Sequence, residues 1–261
     1  MPPSIPSYSS NHGYRYDSKE AKSTATQNTL ESVGSQAGDF KWVGKKFETN
    51  GCVRPFPGNT ILCHLSPDNA LRRSLLIIHE KLQNSEFAMS YTLLPPSSWH
   101  MTVFDGVCDQ IRKPHSWPED LSPHAPLASC NALFEQKLAR FDPCTGPPIR
   151  MAVMGLELTE DGIRLHLTPI GAPEEQRLRR LRDRLSELLQ LRHPGHNTYV
   201  FHLTIAYRIV HLSRDREEAL SALLQGFYND ILRVFEFDMP EFCLFDNMFA
   251  FRHQFYLGTQ S

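Results

Sequence analysis

The sequence lacks the features that mark several classes of protein. Basic residues are not in excess, because 27 Lys and Arg stand against 29 Asp and Glu, a formal net charge of −2. Proteins that bind long nucleic acids usually show a basic surface, so no long nucleic acid is expected as a partner. No apolar run is long enough to span a bilayer, and no signal-peptide-like segment follows the N-terminus. We expect a soluble, monomeric protein without membrane contact.

The six cysteines are scattered, and no two of them have C-x-x-C spacing. Zinc ribbons and thioredoxin-like sites depend on that spacing. The chain is also longer than the small domains in which cysteines form a disulfide framework. We therefore expect free thiols in a reducing compartment, the cytoplasm or alternatively the nucleus, with no cofactor and no metal site.

Composition divides the chain into a tail and a folded part. Residues 1–38 are rich in Ser, Gln, Asn and Thr and have few aliphatic residues. Such a segment buries too little apolar surface to offset its ordering entropy, so we predict a disordered polar tail. The remainder, residues 39–261, is predicted to be a single two-lobed domain.

The pattern of apolar residues predicts alternating helices and strands. Helical spacing predicts four helices, at about 66–82, 125–141, 173–190 and 214–234. Ser66, Thr168 and Ser213 are the expected N-caps of the first, third and fourth helices. Alternating stretches predict strands, with a hairpin around the turn at 160–162. Hairpins outnumber β-helix-β crossovers, which favours an α+β fold with antiparallel sheets.

The motif H-x-[ST] recurs along the chain, and the spacing of its copies reveals a duplication. Five of its histidines are His64, His100, His166, His202 and His211. The first pairs with the third, and the second with the fourth, at the same offset of 102 residues. "CHLSP" then aligns with "LHLTP", and "WHMTV" with "FHLTI". We predict two related halves, about 51–148 and 149–256, forming two lobes around a pseudo-two-fold groove.

His100 and His202 are the two histidines expected to do chemistry. Each lies within a predicted strand, where alternation places it on the same face as the hydroxyl two residues later, Thr102 or Thr204. The intervening apolar residue anchors the strand on the opposite face. The other three histidines precede predicted helix starts, so we interpret them as structural.

Two imidazoles and two hydroxyls facing one groove suit phosphoester chemistry. One neutral histidine can take a proton from water or from a ribose hydroxyl, and one protonated histidine can give a proton to the leaving oxygen. Threonine hydroxyls can donate to phosphate oxygens as negative charge builds on them. In regular strands, the next side chains on the faces of these histidines and threonines are Phe104 and Ala206, so the two faces are expected to carry no carboxylate. The pattern does not decide which histidine is the acid and which the base.

At this point the chain resembles a known family. "SSWHMTV" and "YVFHLTI" match the paired H-x-T-apolar signature of the 2H phosphoesterases, also called LigT-like or cyclic phosphodiesterase-like proteins. "PFPGNTILCHL", "LPPSSWHMTVFDGV" and "FCLFDNMFAF" resemble an uncharacterised microbial and fungal branch. The resemblance implies a bilobal fold and a metal-independent reaction at 2′,3′-cyclic, 1″,2″-cyclic or 2′-5′ phosphodiesters. It implies that His100 and His202 are the acid–base pair and that Thr102 and Thr204 bind phosphate.

Five further residues are weaker candidates for binding substrate. Arg208 shares a face with His202 if the strand is regular, and could neutralise a second phosphate. Phe104 could stack a base or pack in the core. Tyr207 points to the core unless a bulge rotates it. Tyr91 is ambiguous in the same way, and Asn59 could line the groove or serve a turn.

The sequence thus predicts a phosphodiesterase that acts on a small nucleotide or an RNA 3′ end. Two alternatives stay open. One is a non-catalytic module that binds the same ligands, and the other is an RNA ligase or exonuclease with the same fold.

Overall fold

The computed structural model describes residues 40–144 and 146–259, and the tail predicted over 1–38 lies outside the described residues. The helices in this part of the chain are α1 (Ala70–Gln83), α2 (Leu127–Leu138), α3 (Gly171–Leu189) and α4 (Arg214–Asn229). The strands are β1 (Gly58–His64), β2 (Tyr91–Leu93), β3 (His100–Cys108), β4 (Ile149–Leu158), β5 (Gly162–Pro169), β6 (His202–Arg208), β7 (Val234–Phe237), β8 (Glu241–Asn247) and β9 (Ala250–Tyr256). The predicted α+β class is confirmed, as is the β4–β5 hairpin.

Helix α1 forms where helical spacing predicted it, but it begins later. Its buried residues recur at helical spacing from Leu71 to Leu82 and face the core. The side chain of Asn69, and not of Ser66, accepts the hydrogen bond from the amide of Leu71 at 3.0 Å. Ser66 lies too far ahead of the first helical residue, Ala70, to reach the amides that an N-cap satisfies.

The other two predicted caps also differ. Thr168 belongs to β5, and Ile170 precedes α3 without a side-chain cap. Ser213 does occupy the N-cap position of α4, although its side chain makes no capping bond. Helix α4 ends at Asn229, before the predicted 234, because residues 234–237 pair with β4 as strand β7.

All strands belong to one antiparallel sheet in the order β7-β4-β5-β6-β3-β1-β8-β9, with β2 on β6. The sheets expected in the two halves are therefore continuous, and β3 and β6 lie side by side where the halves meet. Helices cover one face, with α3 against β3 and β5 and α4 against β4. The core lies between this face and the helices.

None of the helices in the described residues has both the length and the apolar character needed to cross a membrane.

Candidate active site

The two H-x-T motifs meet at the centre of the sheet. Strands β3 and β6 are antiparallel, and their register pairs Met101 with Leu203, the middle residues of the two motifs. Both middle side chains are fully buried in the core. Because side chains alternate across a strand, the flanking histidines and threonines lie on the opposite face. There His100, Thr102, His202 and Thr204 line one pocket of about 490 Å³.

The duplicated histidines form two cross-strand pairs on four neighbouring strands. His64 on β1 is directly opposite His100, and His166 on β5 is directly opposite His202. The inner two line the pocket, whereas the outer two contact carboxylates on the next strands out. His64 Nδ1 lies 2.6 Å from Glu241, and His166 Nδ1 lies 3.2 Å from Glu157. The equal offset in sequence thus corresponds to equal positions in the sheet.

Both inner imidazoles are held by the same backbone contact. His100 Nδ1 lies 2.7 Å from the carbonyl oxygen of Ser98, and His202 Nδ1 lies 2.9 Å from that of Val200. A carbonyl only accepts, so each Nδ1 carries the proton and donates it. The Nε2 atom of each neutral ring is then the one with a free lone pair. The two rings are therefore oriented in the same way for proton transfer at Nε2.

Burial disfavours the charged form of both histidines. It lowers the pKa of His100 to about 4. The hydrogen bond to the Ser98 carbonyl raises this pKa, and the charge of His64 lowers it further, but burial has the largest effect. Burial likewise lowers the pKa of His202, while the Asp105 carboxylate is one of the groups that oppose this shift. Both rings are consequently neutral at pH 7.

Two β-bulges, one in each half, determine which residues follow the motifs into the pocket. In β3, Val103 has no partner on β1, because its neighbours Thr102 and Phe104 pair with the consecutive residues Leu62 and Ile61. In β6, Ile205 has no partner on β5, because its neighbours Thr204 and Ala206 pair with the consecutive residues Arg164 and Ile163. Each is an extra residue directly after the threonine, and an extra residue reverses the alternation beyond it.

The reversal changes the predicted lining. Asp105 and Tyr207, which alternation assigns to the core side, line the pocket, so the site does contain a carboxylate. Phe104 is buried in the core, with its ring edge-on to His196. Arg208 is turned away, and its guanidinium pairs with Glu217 on α4. Tyr207 was expected to point to the core unless a bulge rotated it, and the structure contains that bulge.

The remaining two candidates have structural contacts. Asn59 lines the pocket but is buried, with its amide donating to Asn131 at 2.8 Å and its oxygen accepting from the amide of Val107 at 3.1 Å. Tyr91 does not line this pocket, and burial raises its pKa to about 12.

Tyr199 and Arg182 support the H-x-T strands from the side. The Tyr199 ring lines the pocket with its centroid 6.0 Å from that of His202. Burial raises the pKa of Tyr199 far above its ordinary value, so its hydroxyl stays protonated. The buried Arg182 guanidinium lies 4.0 Å from the Tyr199 ring and donates to the carbonyl of Val103, the bulged residue. Helix α3 thereby fixes the bulge of β3.

A segment ahead of the duplicated halves completes the pocket wall. Lys46 Nζ lies 3.9 Å from the centre of the Trp42 ring and donates to the Tyr207 hydroxyl at 3.1 Å. Lys41 pairs with Asp161 in the β4–β5 turn at 3.3 Å. The segment precedes residue 51, where the repeat begins, so the comparison of the two halves gave no pattern that identifies Trp42 or Lys46.

Two more lining residues come from neighbouring strands. Arg164 on β5 is directly opposite Thr204, and its buried Nε atom has no hydrogen-bond partner among residues 40–144 and 146–259. Phe251 on β9 packs its ring 4.2 Å from that of His100. The pocket thus offers two imidazoles, two threonine hydroxyls, cationic groups and aromatic surfaces, a set suited to a phosphate attached to a planar ring.

Comparison with known proteins agrees with the resemblance inferred from the motifs. The family model named 2H-phosphodiest, described as a domain of unknown function (DUF1868), matches residues 46–161. No curated protein matches the chain. The crystal structure of the conserved protein of unknown function ATU0111 from Agrobacterium tumefaciens has a TM-score of 0.76 and 26% identity, covering 83% of this chain and 92% of that one. TT0787 of Thermus thermophilus has a TM-score of 0.35 and 18% identity over 71% of this chain and 86% of its own.

Proposed function

This chain is 2H-phosphodiesterase-like over residues 46–161, and from that premise we propose that it hydrolyses a phosphodiester of a nucleotide or RNA end. The bond would be a cyclic phosphate or a 2′-linked phosphodiester. The observation that carries the proposal is that both H-x-T pairs line one pocket, with both Nδ1 atoms bound to backbone carbonyls.

The proton transfers follow from the state of the two imidazoles. One neutral Nε2 takes a proton from the attacking water as oxygen bonds to phosphorus. The other ring, protonated, gives its proton to the ribose oxygen as the phosphorus–oxygen bond breaks. A bound phosphate supplies the negative charge that raises the pKa of a neighbouring imidazole and so favours this protonated form. The proton taken from water replaces the one delivered, so the cycle balances. Each such transfer typically contributes about 10²–10⁴-fold to the rate.

Two threonine hydroxyls and the Arg164 guanidinium can stabilise the negative charge that builds on the phosphate. Thr102 and Thr204 hydroxyls donate to the non-bridging oxygens, where negative charge increases in the transition state. Arg164 stands opposite Thr204, and within the described residues its Nε atom has no hydrogen-bond partner. These groups and the two histidines supply every step from side chains, so the proposed reaction needs no metal ion.

The wall of the pocket supports a nucleotide as the substrate. Trp42, Tyr207 and Phe251 offer aromatic surfaces on which a base can stack. A volume of about 490 Å³ lies within the range of small-molecule sites. The near-zero net charge is compatible with a small nucleotide or a single RNA end.

The test is turnover of the four 2′,3′-cyclic nucleotides with a chelator present. We expect hydrolysis by the unmodified chain and a loss of about 10²–10⁴-fold in His100→Ala and in His202→Ala. Thr204→Val should lose about 10²–10³-fold, the usual effect of removing one transition-state donor.

His166→Ala is the matched control, since His166 belongs to the same motif but lies one strand outside the pocket. It should keep the turnover of the unmodified chain. Binding of the cyclic nucleotides without turnover would show a binding module instead of an enzyme. Wild-type turnover in His100→Ala or His202→Ala would refute the acid–base assignment.

A further inference from the structure

A second group of polar side chains lies across β1, β8 and β9, outside the pocket. Glu241 on β8 is at its centre, with one carboxylate oxygen 2.6 Å from His64 Nδ1 and the other 2.5 Å from His253 Nδ1. Cys243 is on the same strand face two residues later, and its register partner on β9 is His253. Ligand atoms of His64, Glu241 and Cys243 all lie within 4.8 Å of one another.

The charge of this cluster is poorly compensated. Glu241 is only 4% exposed, and Cys243 is fully buried. Burial raises the pKa of Glu241, but hydrogen bonds and charge from His64 and His253 outweigh it and hold the pKa below its ordinary value. In the described part of the chain, these two histidines are the ion-pair partners of Glu241. No Lys or Arg pairs with Glu241 in the described part of the chain, so the buried carboxylate has no permanent cation beside it.

The donor set matches a borderline metal ion. Zinc takes imidazole nitrogen, carboxylate oxygen and thiolate sulfur at about 2.0–2.3 Å in tetrahedral geometry. We propose that His64, Glu241 and Cys243 bind one divalent transition-metal ion, preferably zinc, and that His253 provides the fourth ligand. The ion neutralises the carboxylate. Binding releases the Cys243 thiol proton to solvent, and His64 and His253 bind as neutral imidazoles whose remaining proton is on the ring nitrogen that does not contact the metal.

The role of this ion is structural. None of the four ligands lines the pocket, so the metal does not contact the substrate. It would join three strands and fix the His64 ring, whose centroid is 6.3 Å from that of His100. The sequence gave no indication of this site. His64 is about 180 residues away from the other three ligands, and those three lack the spacing of common zinc motifs. The proposal is independent of the proposed hydrolysis.

Cobalt substitution tests the site without any activity measurement. Full-length protein is stripped with a chelator, dialysed and titrated with Co²⁺ alone and with Zn²⁺ alone. We expect one ion per chain, tetrahedral d–d absorption, and a thiolate-to-cobalt charge-transfer band that Zn²⁺ removes by displacing cobalt. Zn²⁺ should also raise the melting temperature, since it binds the folded state.

Variants locate the ion. Cys243→Ser should abolish the charge-transfer band, whereas Cys52→Ser, at an exposed thiol, should leave it unchanged. His253→Ala changes a half-exposed side chain and serves if Cys243→Ser does not fold; it should weaken affinity more than about 10-fold. Absence of saturable binding at one ion per chain would overturn the proposal, as would binding with the same band and affinity in the Cys243 and His253 variants.

Discussion

Replacing Gly162 by alanine should destabilise the protein strongly. Gly162 begins β5 opposite Tyr207, just past the bulge in β6, and its φ is +151°. A Cβ built on it would stand 2.0 Å from the carbonyl oxygen of Ala206 and 2.9 Å from the Cα of Tyr207. Both are backbone atoms, so no side chain can rotate to make room. The distance from the Cβ to the Ala206 oxygen must grow by 1.4 Å, from 2.0 to 3.4 Å, to reach an ordinary contact.

Two terms set the magnitude. Overpacking of this kind typically costs about 1–3 kcal/mol. A positive φ at a residue with a side chain adds about 1–2 kcal/mol. We therefore expect Gly162→Ala to lower the free energy of unfolding by about 2–5 kcal/mol. Separation would also disturb the bond from the Arg208 amide to the Asp161 carbonyl, 3.0 Å long, at the same edge of the pocket.

The same substitution at Gly226 provides the control. Gly226 lies within α4 and would place its Cβ in open space. Alanine is the better helix former, so Gly226→Ala should raise the unfolding free energy by about 0.5–1 kcal/mol. Urea unfolding followed by far-UV circular dichroism measures both. A Gly162→Ala protein within about 0.5 kcal/mol of the unmodified chain would refute the close approach of β5 to the bulged strand.

Three further predictions concern residues placed by the structure. Tyr91→Phe should change stability by less than about 1 kcal/mol, or increase it, because the buried hydroxyl has no hydrogen-bond partner in the part of the chain that the structure describes; a larger loss in thermal melts would show that a partner exists. Arg208→Met should cost about 1–3 kcal/mol in urea unfolding by breaking the pair with Glu217, with KM unchanged; a raised KM would return Arg208 to the substrate site. Stability should fall as the pH is lowered from about 6.5 towards 4, because burial lowers the pKa of four histidines and the unfolded chain then binds more protons; equal unfolding free energies at pH 7.5 and 5 would contradict this. These histidines are His79, His100, His196 and His202.

The duplication made the centre of the site predictable. A fixed offset of 102 residues selects His100 and His202 together, and two copies of one supersecondary unit place equivalent residues at equivalent points of a sheet. The structure shows the same equivalence in the cross-strand pairs that His64 and His166 form with them. The position of each histidine in its strand depends on the local pattern of apolar and polar residues, and that pattern can be read from the sequence.

The wall of the pocket was less predictable for two physical reasons. The prediction of which side chains face the pocket assumed a regular strand. The extra residues Val103 and Ile205 reverse the alternation of side chains just before Asp105 and Tyr207, so these two face the pocket. A bulge depends on tertiary support, here the buried Arg182 that bonds to the Val103 carbonyl. Trp42 lies before the duplicated part, so no internal comparison could select it.

Equivalent positions beside the two threonines carry unlike residues. Thr102 faces Leu62 across the ladder, whereas Thr204 faces Arg164. Past the bulges, Asp105 in one half corresponds to Tyr207 in the other. The two H-x-T pairs are thus nearly symmetric while their surroundings are not, which gives the groove a direction. Under the proposed hydrolysis, a substrate with two different ends is expected to bind in one orientation, so that one histidine would be the base and the other the acid for each substrate.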